Sequence, residues 1–424
     1  MQSKNTYTKT ASHEAIKGSF DTCLLLYSGG LDTSTMLKWI QDEYQCQVIT
    51  LTINLGQTAD DLKAIQKKAL DLGAKDAFVY DAQEEFADTI ITEAIKANAD
   101  YQGGYALSTP LGRVMIAKVA VNICEQYNCS VVAHGCTGKG NDQVRFEGYI
   151  TTLNPNLKTI APVREWSMGR DEQIEFCKIH NIPVKQTKDK PYSYDENMWG
   201  NTGEGGEIEN PELEPKLHQI LQWCQTPEQA PDEPAFVEVE FFKGIPIAIN
   251  GHKDKLMNLI ADLNKIGSLH AIGIFPLIED RFVGLKVRGV YENPGATILI
   301  EAHKKLEKLV STREENELKS FIDTKWAYLC YAAKWYDPVM YHINAFINSM
   351  NKKVSGNVKV KLYKGQATVV SLSSPHSLFD ENLSTFNKSG GFNQNAAAGF
   401  IELWNLPQKT AYGMYNWESE LNKN

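Results

Sequence analysis

Short apolar runs alternate with helical patterns through the first half of the chain, and this alternation restricts the fold more than any other feature. Cys23–Tyr27 is apolar throughout, as is typical of a strand buried on both faces of a parallel sheet. Apolar residues from Met36 to Tyr44 then recur at helical spacing, and Gln47–Ile53 is rich in β-branched residues. Strands that alternate with helices of this length predict an α/β fold, a parallel sheet with helices on both faces.

The same alternation continues along the first half. The further predicted strands are Ala77–Tyr80, Ser130–Ala133 and Ile182–Val184, and the further predicted helices are 62–72, Glu84–Ala97, Leu111–Tyr127 and Asp171–His180. Ligands of such sheets bind beyond the carboxyl ends of the strands. We therefore expect a site in the segments that follow Tyr27 and Ala133.

The second half has a different pattern. Residues 226–234 are rich in proline and acid, which is typical of a surface connector. Two hairpins are predicted beyond it, at 236–249 and 358–372, each with a Lys-Gly turn. The predicted helices are 254–266 and 294–350, the second with breaks near Arg313 and Pro338. This half is expected to form an α+β domain.

Composition and charge exclude several classes of protein. The chain of 424 residues carries a formal net charge of −9, which disfavours a protein that binds nucleic-acid backbones. Its eight cysteines form no C-x-x-C pair, so reduced, buried thiols are expected rather than a zinc site or a disulfide framework. The N-terminus lacks the apolar core of a signal peptide, and no run of about 18 apolar residues suits a membrane span. We expect a soluble, cytoplasmic protein with no nucleic-acid or membrane partner.

The segment Ser28–Ser34 (SGGLDTS) lies between the first predicted strand and the first predicted helix. Its glycines let the backbone approach an anion, and free N–H groups at the helix start favour phosphate. The hydroxyls of Ser28, Thr33 and Ser34 add donors, and the Asp32 carboxylate suits Mg²⁺ shared with phosphates. The alternative is a tight turn in which Asp32 or Thr33 only caps the helix. The complete motif after an apolar strand favours phosphate binding, and no Walker A sequence is present.

A second polar loop, His134–Arg145 (HGCTGKGNDQVR), follows the strand predicted to end at Ala133. Three glycines keep its backbone open, and the residues between them offer both donors and acceptors. Lys139 and Arg145 can meet a carboxylate or a phosphate. The alternative is a solvated loop without a ligand. The density of mixed polar groups at the end of a strand favours a site.

Five segments carry a family resemblance. SGGLDTS resembles the pyrophosphate loop of the N-type ATP pyrophosphatases, a superfamily that cleaves ATP between the α and β phosphates. Within it, the argininosuccinate synthase family has segments similar to HGCTGKGNDQVRFE at 134–147, NLGQ at 54–57, YSYDEN at 192–197 and the stretch from Arg281 to Glu292. These motifs occur in order over most of the chain.

The resemblance implies a fold and an activity. The expected parts are a Rossmann-like ATP pyrophosphatase domain at 1–187, a synthetase and multimerisation domain at 188–407, and an oligomerisation arm of a homotetramer at 408–424. The family joins citrulline to aspartate, in arginine biosynthesis or the urea cycle, with ATP as a substrate and Mg²⁺ as a cofactor. The ureido oxygen attacks the α-phosphorus of ATP, which releases pyrophosphate and leaves citrullyl-AMP. The aspartate amine then displaces AMP.

Site residues are implied motif by motif. ATP is expected to contact Leu26, Tyr27, Ser28, Gly29, Gly30, Leu31, Asp32, Thr33, Ser34, Ile53, Gly135, Thr137, Asp142 and Asp195. Citrulline is expected to contact Tyr105, Asn141, Arg145, Ser193, Thr202, Glu204, Glu279 and Tyr291. Aspartate is expected to contact Thr137, Asn141 and Asp142. The expected catalytic residues are Asp32, as a ligand of Mg²⁺, and Asp142, which would orient the attacking amine.

The chain departs from one branch of the family at Pro110, where that branch has serine. No hydroxyl contact to citrulline is therefore expected at this position. Asp280 and Val287 replace the usual Asn and Ser, and neither change removes an expected ligand.

Two other functions stay open at this point. A tRNA-thiolating member of the superfamily would need catalytic cysteines and a basic surface, which the cysteine spacing and the charge of −9 oppose. A nucleotide-binding protein without catalysis would keep the fold, although an intact loop and an intact amino-acid site oppose that alternative.

Overall fold

A computed structural model describes residues 13–57, 61–166, 168–183, 191–384 and 391–414 of the chain. The chain divides into two compact units, the first ending at His376 and the second beginning at Ser377. The boundary predicted at 187/188 lies outside the described residues. The boundary predicted at 407/408 falls within a helix of the second unit, Leu406–Met414. The three-part division therefore stays a prediction.

The first half of the first unit forms the predicted parallel sheet. Its strands are β1 (Thr22–Leu26), β2 (Gln47–Asn54), β3 (Asp76–Asp81), β4 (Val131–Ala133) and β5 (Lys158–Ile160). All pair in parallel, in the order β3-β2-β1-β4-β5. The chain runs outward from β1 to β3 and then crosses to the other side of β1 to form β4. Open α/β sheets bind ligands where the strand order reverses in this way.

The apolar sequence of β1 explains its central position. Leu24 lies on one face of the sheet, in the larger hydrophobic core. Cys23 and Leu25 lie on the other face and pack in a separate cluster with Met36 and Leu37. Because both faces of β1 are covered, every side chain in the middle of the strand must be apolar.

Helices cover this sheet, largely as predicted. They are α1 (Leu31–Tyr44), α2 (Leu62–Asp71), α3 (Gln83–Phe86), α4 (Thr92–Lys96), α5 (Ser108–Tyr127), α6 (Asp142–Leu153), α7 (Pro162–Glu165) and α8 (Arg170–Ile179). The helix predicted at 84–97 is interrupted, because a π-helical turn at Ala87–Ile91 separates α3 from α4.

The strand predicted at 182–184 is wrong for the residues that the structure describes. Ile182 and Pro183 belong to no strand, and Val184 lies outside the described residues. Ile182 is buried because it packs against Leu31 and Cys177 beyond the end of α8. Its apolar side chain therefore packs against helices and does not belong to the sheet. The strand that pairs with β4 is β5.

The second half of the first unit is the predicted α+β region. Its strands are β6 (Tyr192–Asn197), β7 (Gly200–Gly205), β8 (Ala235–Phe242), β9 (Ile245–Ile249), β10 (His252–Lys253), β11 (Ile274–Asp280), β12 (Lys286–Glu292), β13 (Gly356–Tyr363) and β14 (Gln366–Ser373). They form two antiparallel sheets, β10-β9-β8-β13-β14 and β11-β12-β7-β6. Both predicted hairpins are confirmed, as β8-β9 and β13-β14.

The helices of this half include three formed from the long predicted helical stretch. They are α9 (Leu217–Ile220), α10 (Leu256–Leu269), α11 (Pro294–Val310), α12 (Arg313–Tyr331) and α13 (Pro338–Asn351), with a 3₁₀ turn at Gly206–Glu209. The breaks predicted near Arg313 and Pro338 are confirmed. At the first break, Thr312 is the N-cap of α12 and forms a capping box with Glu315. At the second, Asp337 is the N-cap of α13.

One hydrophobic core joins the two halves of the first unit. Leu24 of the parallel sheet and Met115 of α5 belong to the same cluster as Ile298 of α11 and Trp326 of α12. A buried ion pair reinforces this junction, since Lys319 Nζ lies 2.6 Å from an Asp323 oxygen and donates to the carbonyl oxygen at the end of α4. The halves are therefore packed as one body.

The second unit contains α14 (Glu381–Ser384), α15 (Ala396–Trp404) and α16 (Leu406–Met414). Its large apolar side chains are mostly in water: Phe400, Leu403, Trp404, Tyr412 and Met414 are each more than half exposed. Tyr415 and Trp417, part of the same aromatic segment, lie outside the described residues. Among the helices that the structure describes, none combines the length and the apolar character needed to cross a bilayer.

Candidate functional site

A cavity of about 430 Å³ opens beyond the carboxyl ends of β1 and β2, where the strand order predicts a ligand. Seven residues expected to contact ATP line it: Leu26, Tyr27, Ser28, Thr33, Ile53, Gly135 and Asp195. Apolar Leu51, Leu55, Ile116 and Phe146 complete much of its wall. An apolar wall beside a polar loop suits a nucleotide, which has a flat base at one end and phosphates at the other.

The loop between β1 and α1 has the geometry of a phosphate site. Gly29 has a φ of +75°, and a Cβ atom there would lie 2.9 Å from Cγ1 of Ile65, so only glycine fits. Lys68 Nζ braces the loop by donating to the Gly29 carbonyl oxygen at 2.8 Å. Gly30 precedes α1 and provides no side-chain cap, which leaves the first-turn N–H groups of a 14-residue helix for a ligand.

Other residues of this loop have structural contacts. The Ser34 hydroxyl is buried and lies 3.2 Å from the hydroxyl of Tyr27 and 3.4 Å from the Gly29 carbonyl oxygen. The Leu31 side chain is buried against Cys177. Any contact of Leu31 with a phosphate would therefore come from its backbone, and Ser34 holds the loop in shape.

Asp32 is exposed in the first turn of α1. A single carboxylate beside a phosphate loop fits Mg²⁺ held mainly by phosphate and water oxygens, since this ion is usually bound by one or two carboxylates plus the substrate. In the described part of the chain, no group of three or more His, Cys, Asp or Glu side chains could hold a metal. A lone carboxylate such as Asp32 would hold Mg²⁺ only together with nucleotide oxygens.

A second cavity, of about 440 Å³, lies beside the first. All eight residues expected to contact citrulline line it: Tyr105, Asn141, Arg145, Ser193, Thr202, Glu204, Glu279 and Tyr291. Thr137 and Asp142, expected to contact both aspartate and ATP, also line this cavity and not the first. The structure therefore brings together residues from the segment before α5, from the loop before α6 and the start of α6, and from β6, β7, β11 and β12.

The two cavities have a common wall. Arg113, Gly135, Tyr194 and Asp195 line both of them. Arg113 Nη2 donates to Asp142 at 2.9 Å and to Asp195 at 2.5 Å, so its charge is fixed at the junction. A ligand in one cavity would meet a ligand in the other beside this guanidinium group.

Asp142 is held between two arginines. It accepts from Arg113 through Oδ2 and from Arg145 Nη1 through Oδ1, the latter at 2.8 Å. Burial alone would raise the pKa of the Asp142 carboxyl, but the charges and hydrogen bonds of Arg113 and Arg145 outweigh burial and lower this pKa to about 2. Asp142 is therefore ionised near neutral pH and is a weak base.

The Arg145 side chain makes three hydrogen bonds within the protein. Its Nε and Nη2 donate to the carbonyl oxygen of Tyr331, at 3.1 and 2.8 Å, while Nη1 donates to Asp142. The guanidinium group has five N–H bonds, so these contacts leave two for a substrate. Arg145 thus joins the polar loop after β4 to the end of α12.

Two buried acceptors in the second cavity lack a protein partner. Asn141 Oδ1 and Thr202 Oγ1 are buried polar atoms with no hydrogen bond among the described residues. Buried polar groups are almost always paired, because an unpaired one costs about 1–3 kcal/mol. Their position in the cavity wall indicates a polar ligand, with an N–H or O–H group for Asn141 Oδ1 and either a donor or an acceptor for the Thr202 hydroxyl.

The far end of this cavity combines acids with aromatic residues. Glu279 accepts from the hydroxyls of Tyr291 and Tyr331. Burial and the neighbouring charge of Glu279 raise the pKa of both tyrosines, so both hydroxyls keep their protons and donate. Arg281 Nη2 donates to both carboxylate oxygens of Glu204, at 2.8 and 2.9 Å.

The loop after β4 is anchored from behind. His134 is buried, its Nδ1 accepts from the Cys136 N–H at 3.3 Å, and its Nε2 lies 3.1 Å from a Glu147 oxygen. Arg164 lies 2.7 Å from the same oxygen. Burial opposes ionisation of Glu147, but His134 and Arg164 lower the pKa of this carboxyl to about 2. Glu147, the last residue of the quoted motif, therefore fixes the ring that supports the loop.

Sequence reasoning missed several lining residues: Thr109, Arg113, Cys136, Gly140, Tyr194, Arg281 and Tyr331. Cys136, Gly140, Tyr194 and Arg281 lie in motifs that the sequence analysis quotes, so those segments were identified but not every member. Thr109 and Arg113 lie in α5, on either side of Pro110. Tyr331 had no such signal, because it ends a long helix far from any motif. All eight cysteines are free, as expected, and all but Cys136 are buried.

Comparisons with known proteins match most of the chain. The family models for the "Arginosuccinate synthase N-terminal HUP domain" and the "Arginosuccinate synthase C-terminal domain" match residues 22–183 and 192–411. The chain is 45% identical over 391 residues to the argininosuccinate synthase of Pyrococcus furiosus, covering 92% of this chain and 94% of that one. It is 45% identical over 404 residues to that of Brevibacillus brevis, covering 95% and 96%. A solved U34-tRNA thiolase, NcsA from Methanococcus maripaludis, is 18% identical over 40% of this chain and 60% of its own, but its TM-score of 0.28 carries no argument.

Proposed function

The chain belongs to the argininosuccinate synthase family, and from this membership we propose that it joins citrulline to aspartate while cleaving ATP to AMP and pyrophosphate. The observation that carries the proposal is the common wall of the two cavities, which lets a nucleotide meet an amino-acid substrate. ATP occupies the cavity beside β1, and citrulline occupies the cavity lined by all eight residues expected for it.

The shared wall supports one direction for citrulline. Its ureido oxygen must reach the α-phosphorus of ATP, so the ureido end lies beside Arg113 and Gly135. The charged amino-acid end then lies at the opposite end, among Glu204, Glu279 and Arg145. Carboxylates there accept from the ammonium group, and the free N–H bonds of Arg145 meet the substrate carboxylate.

Arg113 is well placed to support the first step. Attack of the ureido oxygen on the α-phosphorus forms a P–O bond and releases pyrophosphate, leaving citrullyl-AMP. Negative charge grows on the phosphorus oxygens as this happens. A guanidinium group held by Asp142 and Asp195 needs no reorganisation to stabilise that charge. No covalent nucleophile of the protein is required, since positioning and charge suffice.

Thr137, Asn141 and Asp142 take aspartate for the second step. The aspartate amine attacks the activated carbon, a C–N bond forms, and AMP leaves. A carboxyl group with a pKa of about 2 does not remove a proton efficiently near neutral pH. Asp142 therefore orients the amine and holds the two arginines, and the proton is accepted elsewhere. Asp32 would hold Mg²⁺ beside the phosphates, and the ion when bound would supply positive charge there.

The proposal extends to assembly and location. We assign the enzyme to the cytoplasm, in keeping with its cysteines, all of which are free. We assign the homotetramer that the family resemblance implies, and it is supported by the seven large apolar side chains that α15 and α16 expose, including Trp404 and Met414. Such a surface in a second unit is suited to cover another copy of the chain.

Product analysis with each substrate omitted in turn tests the function. AMP and pyrophosphate are expected only when ATP, citrulline and aspartate are all present for turnover, and citrulline alone should support exchange of pyrophosphate into ATP. Formation of ADP and phosphate would reject the proposal. Turnover without citrulline would point to a different substrate in the second cavity.

A further inference from the structure

Tyr331 is the last residue of α12, and its ring is fixed before any substrate binds. The ring stacks on Tyr101, with centroids 3.8 Å apart and planes inclined by 10°. Its backbone carbonyl oxygen accepts two hydrogen bonds from Arg145. Its hydroxyl lies between Glu279 and Asn141 in the wall of the citrulline cavity.

The hydrogen bonds at this hydroxyl have a defined direction. An ionised carboxylate can only accept, so Tyr331 must donate its single proton to Glu279. The oxygen of Tyr331 then has only a lone pair for Asn141, which must present its NH₂ group, and Nδ2 of Asn141 does lie 2.7 Å from it.

This direction decides which end of the Asn141 amide faces a ligand. With Nδ2 occupied, Oδ1 is the amide atom left buried without a partner. Asn141 therefore offers its Oδ1 acceptor to the substrate. An acceptor matches the N–H groups of the citrulline ureido or of the aspartate amine.

We propose that Tyr331 is a positioning residue of the amino-acid site. Its hydroxyl donates to Glu279 and accepts from Nδ2 of Asn141, and so holds the Asn141 amide in the orientation that accepts from substrate. The inference rests on the proposed function for the identity of the substrates. It explains why a residue outside every family motif touches three of the residues expected to bind citrulline.

Tyr331→Phe tests the inference because phenylalanine keeps the stack on Tyr101 and the backbone contact to Arg145. Without the hydroxyl, both ends of the Asn141 amide become free and the amide can turn over. Loss of hydrogen bonds to charged or oriented partners predicts a fall of about 10- to 100-fold in kcat/KM for citrulline. KM for aspartate should also rise, whereas KM for ATP should stay within about twofold of the wild-type value.

A matched control is Tyr328→Phe, the same change one turn earlier on α12, where the side chain is 47% exposed and outside the cavity. It should leave all three KM values unchanged. The double variant Tyr331→Phe with Glu279→Gln should lose less than the product of the two single losses, because both break the same chain of hydrogen bonds.

The outcomes separate the inference from the proposed function. A wild-type enzyme that makes no AMP from ATP, citrulline and aspartate would reject the function. An active wild type with a Tyr331→Phe variant of normal kinetics would reject only the role of Tyr331. Equal losses for ATP and citrulline, or strictly multiplicative losses in the double variant, would mean that the hydroxyl merely stabilises the fold and would also overturn the inference.

Discussion

At the scale of single residues, Asp142 and its two arginines determine how charge is arranged in the site. Neither Arg113 nor Arg145 is much exposed, so each depends on a nearby carboxylate for its stability. Asp142 forms an ion pair with both arginines, and Asp195 forms a second ion pair with Arg113. The polar loop after β4 therefore stays in place through charge balance as much as through packing.

Replacing Asp142 by Asn tests this balance through the pH dependence of stability. The folded-state pKa is about 2, below the ordinary value of 3.8, so the carboxylate stabilises the fold above pH 4 and this contribution is lost as the pH falls towards 2. The contribution is on the order of 2 kcal/mol. Asp142→Asn should be less stable near neutral pH and should lose less further stability between pH 4 and 2. Urea unfolding across this range measures both effects, and parallel curves for the two proteins would contradict the expectation.

Arg145→Ala should weaken citrulline binding by about 2–4 kcal/mol while ATP binding stays nearly intact. The reason is loss of the cation that meets the substrate carboxylate. The structure adds a second effect, since Arg145 also holds the Tyr331 carbonyl oxygen, and the melting temperature should fall too. Calorimetric titration with each ligand checks the difference, and equal losses for ATP and citrulline would indicate collapse of the loop.

Asp32→Asn should reduce kcat much more than it changes citrulline affinity. A neutral amide is a poor ligand for Mg²⁺, and loss of one charge-organising group raises the barrier by about 2–4 kcal/mol. Steady-state kinetics over a range of Mg²⁺ concentrations measures the effect. Near-normal turnover would mean that Asp32 acts only at the start of α1.

At the scale of elements, the β1–loop–α1 unit depends on one glycine conformation. Gly29→Ala would place a Cβ atom 2.9 Å from Ile65 at a φ of +75°, so the loop must shift and KM for ATP should rise at least about tenfold. Gly148→Ala is the control, because a Cβ atom there meets nothing within 4 Å in the helix α6. It should stabilise the protein by about 0.5–1 kcal/mol with unchanged kinetics. Similar KM values for both variants would show that the loop tolerates a side chain.

The elements also show what a sequence can reveal. β1 was predictable because its continuous apolar run matches a strand that is buried on both faces. α1 was predictable because its apolar residues recur at the spacing of a helix that is buried on one face. β6 and β7 were not, because YSYDEN and GNTGEG lack the apolar alternation of a strand and contain a single β-branched residue, Thr202. Those strands form because β7 pairs with β12 and β6 pairs with β7. Their polar side chains and glycines belong to the cavity, so local propensity fails where the site is.

The site residues also divide into those that a sequence motif predicts and those that only the fold brings to the site. Loop members were predictable since motifs concentrate them, whereas Tyr331 reaches the cavity only through the packing of α12 against the rest of the core. Its contacts to Asn141 and Glu279 span 190 and 52 positions of the chain. No local pattern encodes a contact over such separations.

At the scale of the whole molecule, the exposed aromatic residues of α15 and α16 predict assembly. Deletion of residues 408–424 should weaken the tetramer, because Tyr412 and Met414 are removed from a surface suited to cover another subunit. Light scattering measures the mass over a range of concentrations. Lys409→Ala, a polar change in α16, should leave it unaltered. An unchanged tetramer after deletion would refute the role of the arm, and a monomeric full-length protein would refute the assembly.

The core shared by the parallel sheet and α11–α13 affects how substrates gain access. Enzymes whose domains close by hinge bending need a thin, largely polar boundary between rigid bodies. Here such a motion would pull Leu24 and Trp326 out of one continuous core, which is a large cost in exposed apolar surface. We therefore expect small-angle scattering to give nearly the same profile for the first unit with and without ATP and citrulline. Ligands would then enter and leave through movements of the loops at the cavity entrance, while the body of the unit stays rigid.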